Sequence, residues 1–221
     1  MAFWGHVFRP TGHRALGPPP LDAFDVEPGL EEDLLLGWWE AAAAIERRVP
    51  GPEEPVRLRT PRVVRRALNA LSHSAFFAGV SESLMVHSAR QVCRYFTEPD
   101  VRAAVQAEFA GRVTDRTELV VAYSLGSVVA YEALCAHPGW RDLTLITLGS
   151  PLGVRRLVFG RLLPPPHSDS ARWPVPVKAW TNITDVPVHN GAQAHDVRPY
   201  LTARETGLAV AHALDRSRTS P

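Results

Sequence analysis

The part of the sequence best suited to chemistry is centred on Ser124. The apolar, partly β-branched run at 119–123 predicts a strand, and residues 127–136 predict a helix. A tight turn between a strand and a helix exposes a serine hydroxyl beside the unpaired N–H groups of the helix N-terminus. Ala122 and Gly126 supply the small side chains that suit a close approach of strand and helix. The pattern therefore predicts a nucleophilic serine.

A serine nucleophile needs a base to accept its proton and a carboxylate to orient that base. In open α/β sheets such groups collect at the carboxyl ends of strands. Asp185 comes just after a predicted strand at 175–183, and His195 follows ten residues later. These positions predict a catalytic triad in which Ser124 is the nucleophile, Asp185 the acid and His195 the base.

Other residues compete for two of these roles. Asp185 could instead begin a turn before Pro187, and His189 competes with His195 for the role of base because it lies only four residues from Asp185. We favour His195, which lies in a loop before a predicted C-terminal helix. The weaker alternatives for the acid are Asp196 and Asp142.

Composition limits the classes of function. A chain of 221 residues is long enough for one domain with a substantial core, and 45% hydrophobic residues with 21% charged ones indicate a globular protein. A formal net charge of +1 gives no electrostatic reason to expect a nucleic-acid partner. No HExxH motif or paired His/Cys spacing indicates a metal, and we predict no cofactor. No apolar run approaches the length of a membrane span and no signal peptide is evident, so a cytoplasmic protein is expected.

The pattern along the chain changes from helical to alternating near its middle. Strand–helix alternation in the second half predicts an α/β fold with a mostly parallel sheet flanked by helices. In the first half we expect a short strand at 1–8 and helices at 30–48, 61–71, 84–95 and 100–109, the last opened by a Thr97-x-x-Asp100 capping box. The remaining expected elements are strands at 119–123, 143–148 and 175–183, and a helix to 214 after a Thr202-x-x-Glu205 capping box.

Four stretches of the chain resemble bacterial serine hydrolases of the α/β-hydrolase superfamily, in their lipase- or esterase-like branch. They are 120–132 (VVAYSLGSVVAYE), 147–153 (TLGSPLG), 180–185 (WTNITD) and 190–201 (NGAQAHDVRPYL). The resemblance implies a single α/β-hydrolase-like domain over 1–221. Within it, the aromatic and apolar residues of an insertion at 155–176 suit a lid over an apolar acyl chain, and the alternative is simply a surface loop. The resemblance also implies the chain order Ser124, Asp185, His195 and makes the N–H of Leu125 an oxyanion donor.

The sequence departs from this family at two places. Family members open with a strand that ends in a His-Gly-Thr-Gly-like loop, which supplies a second oxyanion donor. This chain starts at Met1-Ala2-Phe3-Trp4-Gly5, which resembles the following strand. We expect either that the true start lies upstream or that the N-terminus is reduced, with Gly5 as the substitute donor. Loss of one donor typically costs about 10²–10³ in rate. The segment from Asp185 to His189 is also shorter than is usual in the family.

The leading functional hypothesis is therefore a serine hydrolase that cleaves an ester or thioester bond of a small-molecule acyl substrate. One alternative keeps the fold but uses His195 and Asp185 for proton transfer in a cyclase or lyase of natural-product biosynthesis. A second alternative is a non-catalytic scaffold domain.

Overall fold

The structure, a computed structural model, describes residues 1–2, 4–8, 20–52, 60–74, 77, 79–183 and 207–212. Its contacts divide the chain into two compact units. One unit is built on Phe8–Val101, and the other contains Met1–Val7, the chain from Arg102 to the end of the third strand, and 207–212. In the described part of the chain, no helix is long and apolar enough to cross a membrane.

The first unit contains three long helices: α1 (Leu30–Ile45), α2 (Pro61–Ser72) and α3 (Glu82–Thr97). Each buries one apolar face, as the spacing of 64, 67, 68 and 71 in α2 illustrates. Two of the helices begin at a hydroxyl cap, because the side chain of Thr60 accepts a hydrogen bond from Val63 N and that of Ser81 from Leu84 N. Buried apolar residues of these helices include Leu34, Leu35, Trp39, Val64, Leu68, Leu71, Met85 and Val86.

All four predicted helices of the first half are present, but one predicted cap is wrong. The fourth helix, α4, is Pro99–Ala110. Thr97 does not cap it, because Thr97 is the last residue of α3 and its hydroxyl donates to Cys93 O at 2.9 Å. The chain instead enters α4 through Pro99, whose fixed φ suits the first helical position.

The predicted strand at 1–8 is also wrong. Gly5–Phe8 forms a 3-10 helix, in which Val7 N donates to Trp4 O at 2.9 Å. An apolar run this short does not distinguish a strand from a helical turn, and here a local hydrogen bond takes the place of strand pairing.

The second unit contains a three-stranded parallel sheet of the α/β class. Its strands are β1 (Leu119–Tyr123), β2 (Leu143–Leu148) and β3 (Val177–Ile183), in the order β1-β2-β3, with helix α5 (Leu125–Ala136) between the first two. The three predicted strands are thus confirmed. β3 starts two residues later than predicted because Val177 N closes a turn onto Pro174 O at 3.0 Å.

The central strand β2 carries the core of this unit. One face of the sheet buries Ile146 and Leu148, which pack with Ala209 and Val210 of the helical residues 207–212. The opposite face meets α5, where the ring centroid of Tyr131 lies 6.1 Å from that of Trp180. The sequence suggested burial on both faces of every strand, yet Val121 of β1 is 40% exposed. Burial is most complete in β2, which has a paired strand on each side and five of whose six residues are buried.

A buried ion pair ties the chain between β2 and β3 to α5. Glu132 of α5 is 4% exposed and pairs with Arg102 of α4, whose Nε lies 3.0 Å from Glu132 Oε2. Glu132 also accepts from Leu163 N at 3.0 Å, and Arg102 donates to Arg161 O at 2.9 Å. The predicted lid segment 155–176 is therefore held at 161–163 by charged side chains. That it works as a lid stays a prediction.

We expect Arg102→Ala to lower the free energy of unfolding by about 3–5 kcal/mol, because it removes the guanidinium whose positive charge balances the buried Glu132 carboxylate. Combining Arg102→Met with Glu132→Leu should recover much of that loss. Urea denaturation measures both effects. The control is Arg155→Ala in the exposed Arg155–Asp169 pair, whose side chains are 69% and 78% exposed and whose loss should cost less than about 1 kcal/mol. Equal losses at Arg102 and Arg155 would contradict this account.

Candidate functional site

Ser124 is the single residue that connects β1 to α5. Its backbone has φ 49° and ψ −125°, in a region that residues with a Cβ rarely adopt and that costs about 1–3 kcal/mol. Neighbouring hydrogen bonds hold it there, since Ser124 N donates to Leu148 O at 3.0 Å and Ser124 O accepts from Ser127 N at 2.9 Å. The predicted strand–turn–helix geometry is therefore present, with the backbone strain expected of a sharp turn.

The hydroxyl of Ser124 does not stabilise the helix that follows it. Thr60 and Ser81, which also precede helices, have extended backbones and side chains that accept a hydrogen bond from the first turn. Ser124 makes no such capping bond. A hydroxyl cap is typically worth about 1 kcal/mol, so α5 forgoes a stabilising interaction that α2 and α3 use.

The N-terminus of α5 presents a hydrogen-bond donor directly after the serine. The first N–H groups of a helix have no acceptor within it and carry partial positive charge. Ser127 N is occupied by Ser124 O, whereas Leu125 N donates to no other residue in the part of the chain described by the structure. An oxygen that develops negative charge next to Ser124 could accept this N–H.

Trp4 packs against the first turn of α5. A methyl group added at Gly126 would lie 3.6 Å from Cη2 and 3.7 Å from Cζ2 of Trp4, which is ordinary van der Waals contact. The sequence suggested that the strand backbone would lie close to Gly126. The close neighbour is instead this indole ring. Gly5, the predicted substitute oxyanion donor, directly follows Trp4 and begins the 3-10 helix.

The carboxyl ends of the three strands lie level with each other. Tyr123 pairs with Leu148, and Leu148 with Ile183, so the last residues of β1, β2 and β3 form one row. Asp185 comes two residues after Ile183. Asp185, His195 and the alternatives His189 and Asp196 lie outside the described residues, so their roles stay predictions.

A polar chain that the sequence analysis did not single out lies on this sheet. Trp180 Nε1 donates to Thr147 Oγ1 at 2.9 Å, and Thr147 donates onward to Asn182 Oδ1 at 2.8 Å. Thr147 is fully buried in the central strand. The available signal was the occurrence of Thr147 and Asn182 inside otherwise apolar strands, where a buried polar group requires a partner.

Neither cysteine is set up as a competing nucleophile. Burial raises the pKa of Cys135 in α5, and burial likewise raises the pKa of Cys93 in α3. The reactive form of cysteine is the thiolate, so both thiols stay protonated near neutral pH and react poorly. Burial also raises the pKa of Tyr131, whose hydroxyl donates to Arg172 O at 3.0 Å.

No protein-family model, curated protein or solved structure matches this chain. Within the described ranges, no group of three or more His, Cys, Asp and Glu side chains could hold a metal ion. The chemical interpretation of the site therefore depends on the geometry around Ser124 and on the sequence.

We expect Ser124→Gly to raise the free energy of unfolding by about 1 kcal/mol, because glycine adopts positive φ without the penalty that a Cβ brings. Ser124→Ala should change it by less than about 0.5 kcal/mol, since alanine keeps the Cβ and the lost hydroxyl caps no helix. Chemical denaturation of the two variants beside the wild type makes the comparison. A Ser124→Gly protein no more stable than Ser124→Ala would show that the turn is not strained.

Proposed function

We propose that this protein is a serine hydrolase of the α/β-hydrolase type that cleaves an ester or thioester bond in a small acyl substrate. The observation that carries the proposal is the backbone of Ser124, held at φ 49° between a parallel strand and a helix. Strain of this kind persists where surrounding structure enforces it, and it clusters at functional sites. The uncapped hydroxyl at the same residue supports a chemical role for it.

The reaction that we propose passes through an acyl-enzyme. Ser124 Oγ attacks the carbonyl carbon while His195 accepts its proton, and Asp185 keeps the imidazole in the required tautomer. The bond to the leaving alcohol or thiol then breaks, and His195 returns the proton to the leaving group. A water molecule, activated by the same histidine, hydrolyses the acyl-Ser124 bond and restores the free serine.

The level strand ends support Asp185 as the acid. Because β2 lies between β1 and β3, their backbones are about 10 Å apart, too far for a carboxylate after β3 to contact the serine after β1 directly. An imidazole ring with a hydrogen bond of about 3 Å at each nitrogen can bridge such a gap. A histidine between Ser124 and Asp185 is the arrangement that a triad requires, and His195 is our choice for it.

Two backbone N–H groups are proposed to stabilise the oxyanion. Leu125 N–H opens α5 beside the serine, and Gly5 N–H follows the residue whose indole packs on Gly126. Both are main-chain donors, which keep their positions through the reaction without reorganising.

A fluorophosphonate probe tests the proposal, because it forms a covalent bond only with an activated serine. We expect labelling at Ser124, identified by mass spectrometry of the modified peptide, and complete loss of labelling and of ester turnover in Ser124→Ala. The matched control is Ser81→Ala, which removes another serine that precedes a helix and should leave labelling unchanged. Ester turnover by Ser124→Ala would instead favour proton transfer by His195 and Asp185. A folded wild type without labelling or turnover would favour a scaffold.

Substitution of Gly5 tests its role as oxyanion donor. Gly5→Pro removes the backbone N–H and should lower kcat for short nitrophenyl esters by about 10²–10³. Gly5→Ala keeps the N–H and should remain within a few-fold of the wild type. If the two variants hydrolyse these esters at the same rate, the Gly5 N–H does not stabilise the oxyanion.

A further inference from the structure

The polar chain on the sheet has a defined direction. An indole N–H can only donate a hydrogen bond, so Thr147 Oγ1 must be the acceptor from Trp180. A threonine hydroxyl has one proton, and Thr147 gives it to Asn182 Oδ1. The amide of Asn182 is therefore oriented with its oxygen toward Thr147, which leaves its NH₂ group for another partner.

Thr147 and Asn182 differ in burial, and this difference bears on the role of the oriented amide. Thr147 is fully buried, whereas Asn182 is exposed. In the part of the chain that the structure describes, Asn182 makes a hydrogen bond through Oδ1 to Thr147, and its NH₂ group donates to no acceptor. A buried hydroxyl thus uses its only proton to orient a surface amide. An exposed asparagine can be solvated by water and does not need this hydrogen bond for that purpose.

Asn182 lies near the carboxyl ends of the strands, which is the end of the sheet at which Ser124 is located. It pairs with Thr147, which pairs with Ala122, and this row is one residue before the ends of the three strands. Since two strand spacings separate β1 from β3, the amide is about 10 Å across the sheet from the serine strand. A substrate oxygen bound by this amide would therefore lie several bonds along the acyl chain from the carbonyl carbon that Ser124 could attack.

Two aromatic side chains lie next to Asn182 on the side away from the carboxyl ends of the strands. Trp180 is two residues before Asn182 and so shares its face. The ring centroid of Trp173, a side chain 55% exposed, lies 5.6 Å from that of Trp180. The NH₂ group of Asn182 thus lies beside an apolar aromatic surface. This combination suits a substrate acyl chain that has one polar group and is otherwise apolar.

We propose that Asn182 determines substrate specificity, donating a hydrogen bond from its NH₂ group to an oxygen in the acyl chain of the substrate. Trp180 and Trp173 contact the apolar part of that chain. The preferred substrate class is then an ester or thioester of an oxygenated acyl chain, not of a plain hydrocarbon chain. This inference depends on the proposed hydrolase function of Ser124.

Two nitrophenyl esters of equal length and shape test it. One is the heptanoate, and the other is the methoxypentanoate in which an ether oxygen replaces the sixth carbon. The oxygen is remote from the carbonyl, so the intrinsic reactivities are nearly equal. We expect the wild type to prefer the ether ester by about 3–10-fold in kcat/KM, the effect of one hydrogen bond between neutral groups.

Variants at Asn182 should abolish this preference. Asn182→Leu removes the donor, and Asn182→Asp keeps the acceptor for Thr147 but replaces the NH₂ group with an oxygen. In both, the ratio of kcat/KM for the two esters should fall to one or below. Because both esters are measured on the same preparation, any loss of folded protein cancels in the ratio.

Thr147 acts as a positioning residue and needs its own test. Thr147→Val keeps the shape but frees the amide to rotate, so the preference for the ether ester should fall toward one. Thr147→Ser keeps the hydroxyl and should restore it. A purely structural role for Thr147 would lower activity on both esters equally and leave their ratio unchanged.

The outcomes separate the two proposals. If the wild type hydrolyses both esters without preference, or keeps its preference in Asn182→Leu, the role of Asn182 is refuted while the hydrolase function stands. If the folded wild type hydrolyses neither ester and Ser124 is not labelled by a fluorophosphonate, the hydrolase function is refuted, and the role of Asn182 with it.

Discussion

The hydrogen bond from Ser124 N to Leu148 O is the constraint on which the site depends. It extends the pairing of β1 with β2 by one residue, although α5 already begins at Leu125. One residue must therefore turn the chain from strand to helix, and this is possible only with an unusual backbone conformation. The same constraint orients Leu125 N–H beside the serine. The proposed nucleophile and the proposed oxyanion donor are thus both consequences of one short connection.

The helix that begins at this turn is held in place by both apolar and charged contacts. Tyr131 packs on Trp180 of β3, and one turn of the chain between β2 and β3 is bound to Glu132 through Arg102 and Leu163. A buried pair of charges is a weak source of stability compared with apolar packing, but it permits few alternative arrangements. Here it restrains the crossover segment beside the strands that carry the site.

The polar chain from Trp180 through Thr147 to Asn182 shows how a sheet can present one side chain in a defined orientation. The indole N–H of Trp180 donates to the hydroxyl of Thr147, and this hydroxyl donates its proton to the amide oxygen of Asn182, which determines which end of the amide faces Thr147. The strands pair in register, so a buried residue of β2 controls an exposed residue of β3. All three side chains are uncharged, so the charge of the sequence gave no indication of this hydrogen-bonded chain.

The sequence by itself determined the elements with strong local patterns: the helices of the first unit, the three strands and the turn at Ser124. Apolar spacing such as that of Val64, Leu68 and Leu71 repeats within one segment, so it can be recognised without a partner. Predictions based on a few residues were less secure, and both the strand at 1–8 and the Thr97 cap were wrong because local hydrogen bonds compete at that length. Only the tertiary structure decided which side chains meet across the strands. The register that brings Thr147 to Asn182 joins residues 35 positions apart, and pairing over that distance depends on the packing of the whole sheet, which no local pattern encodes.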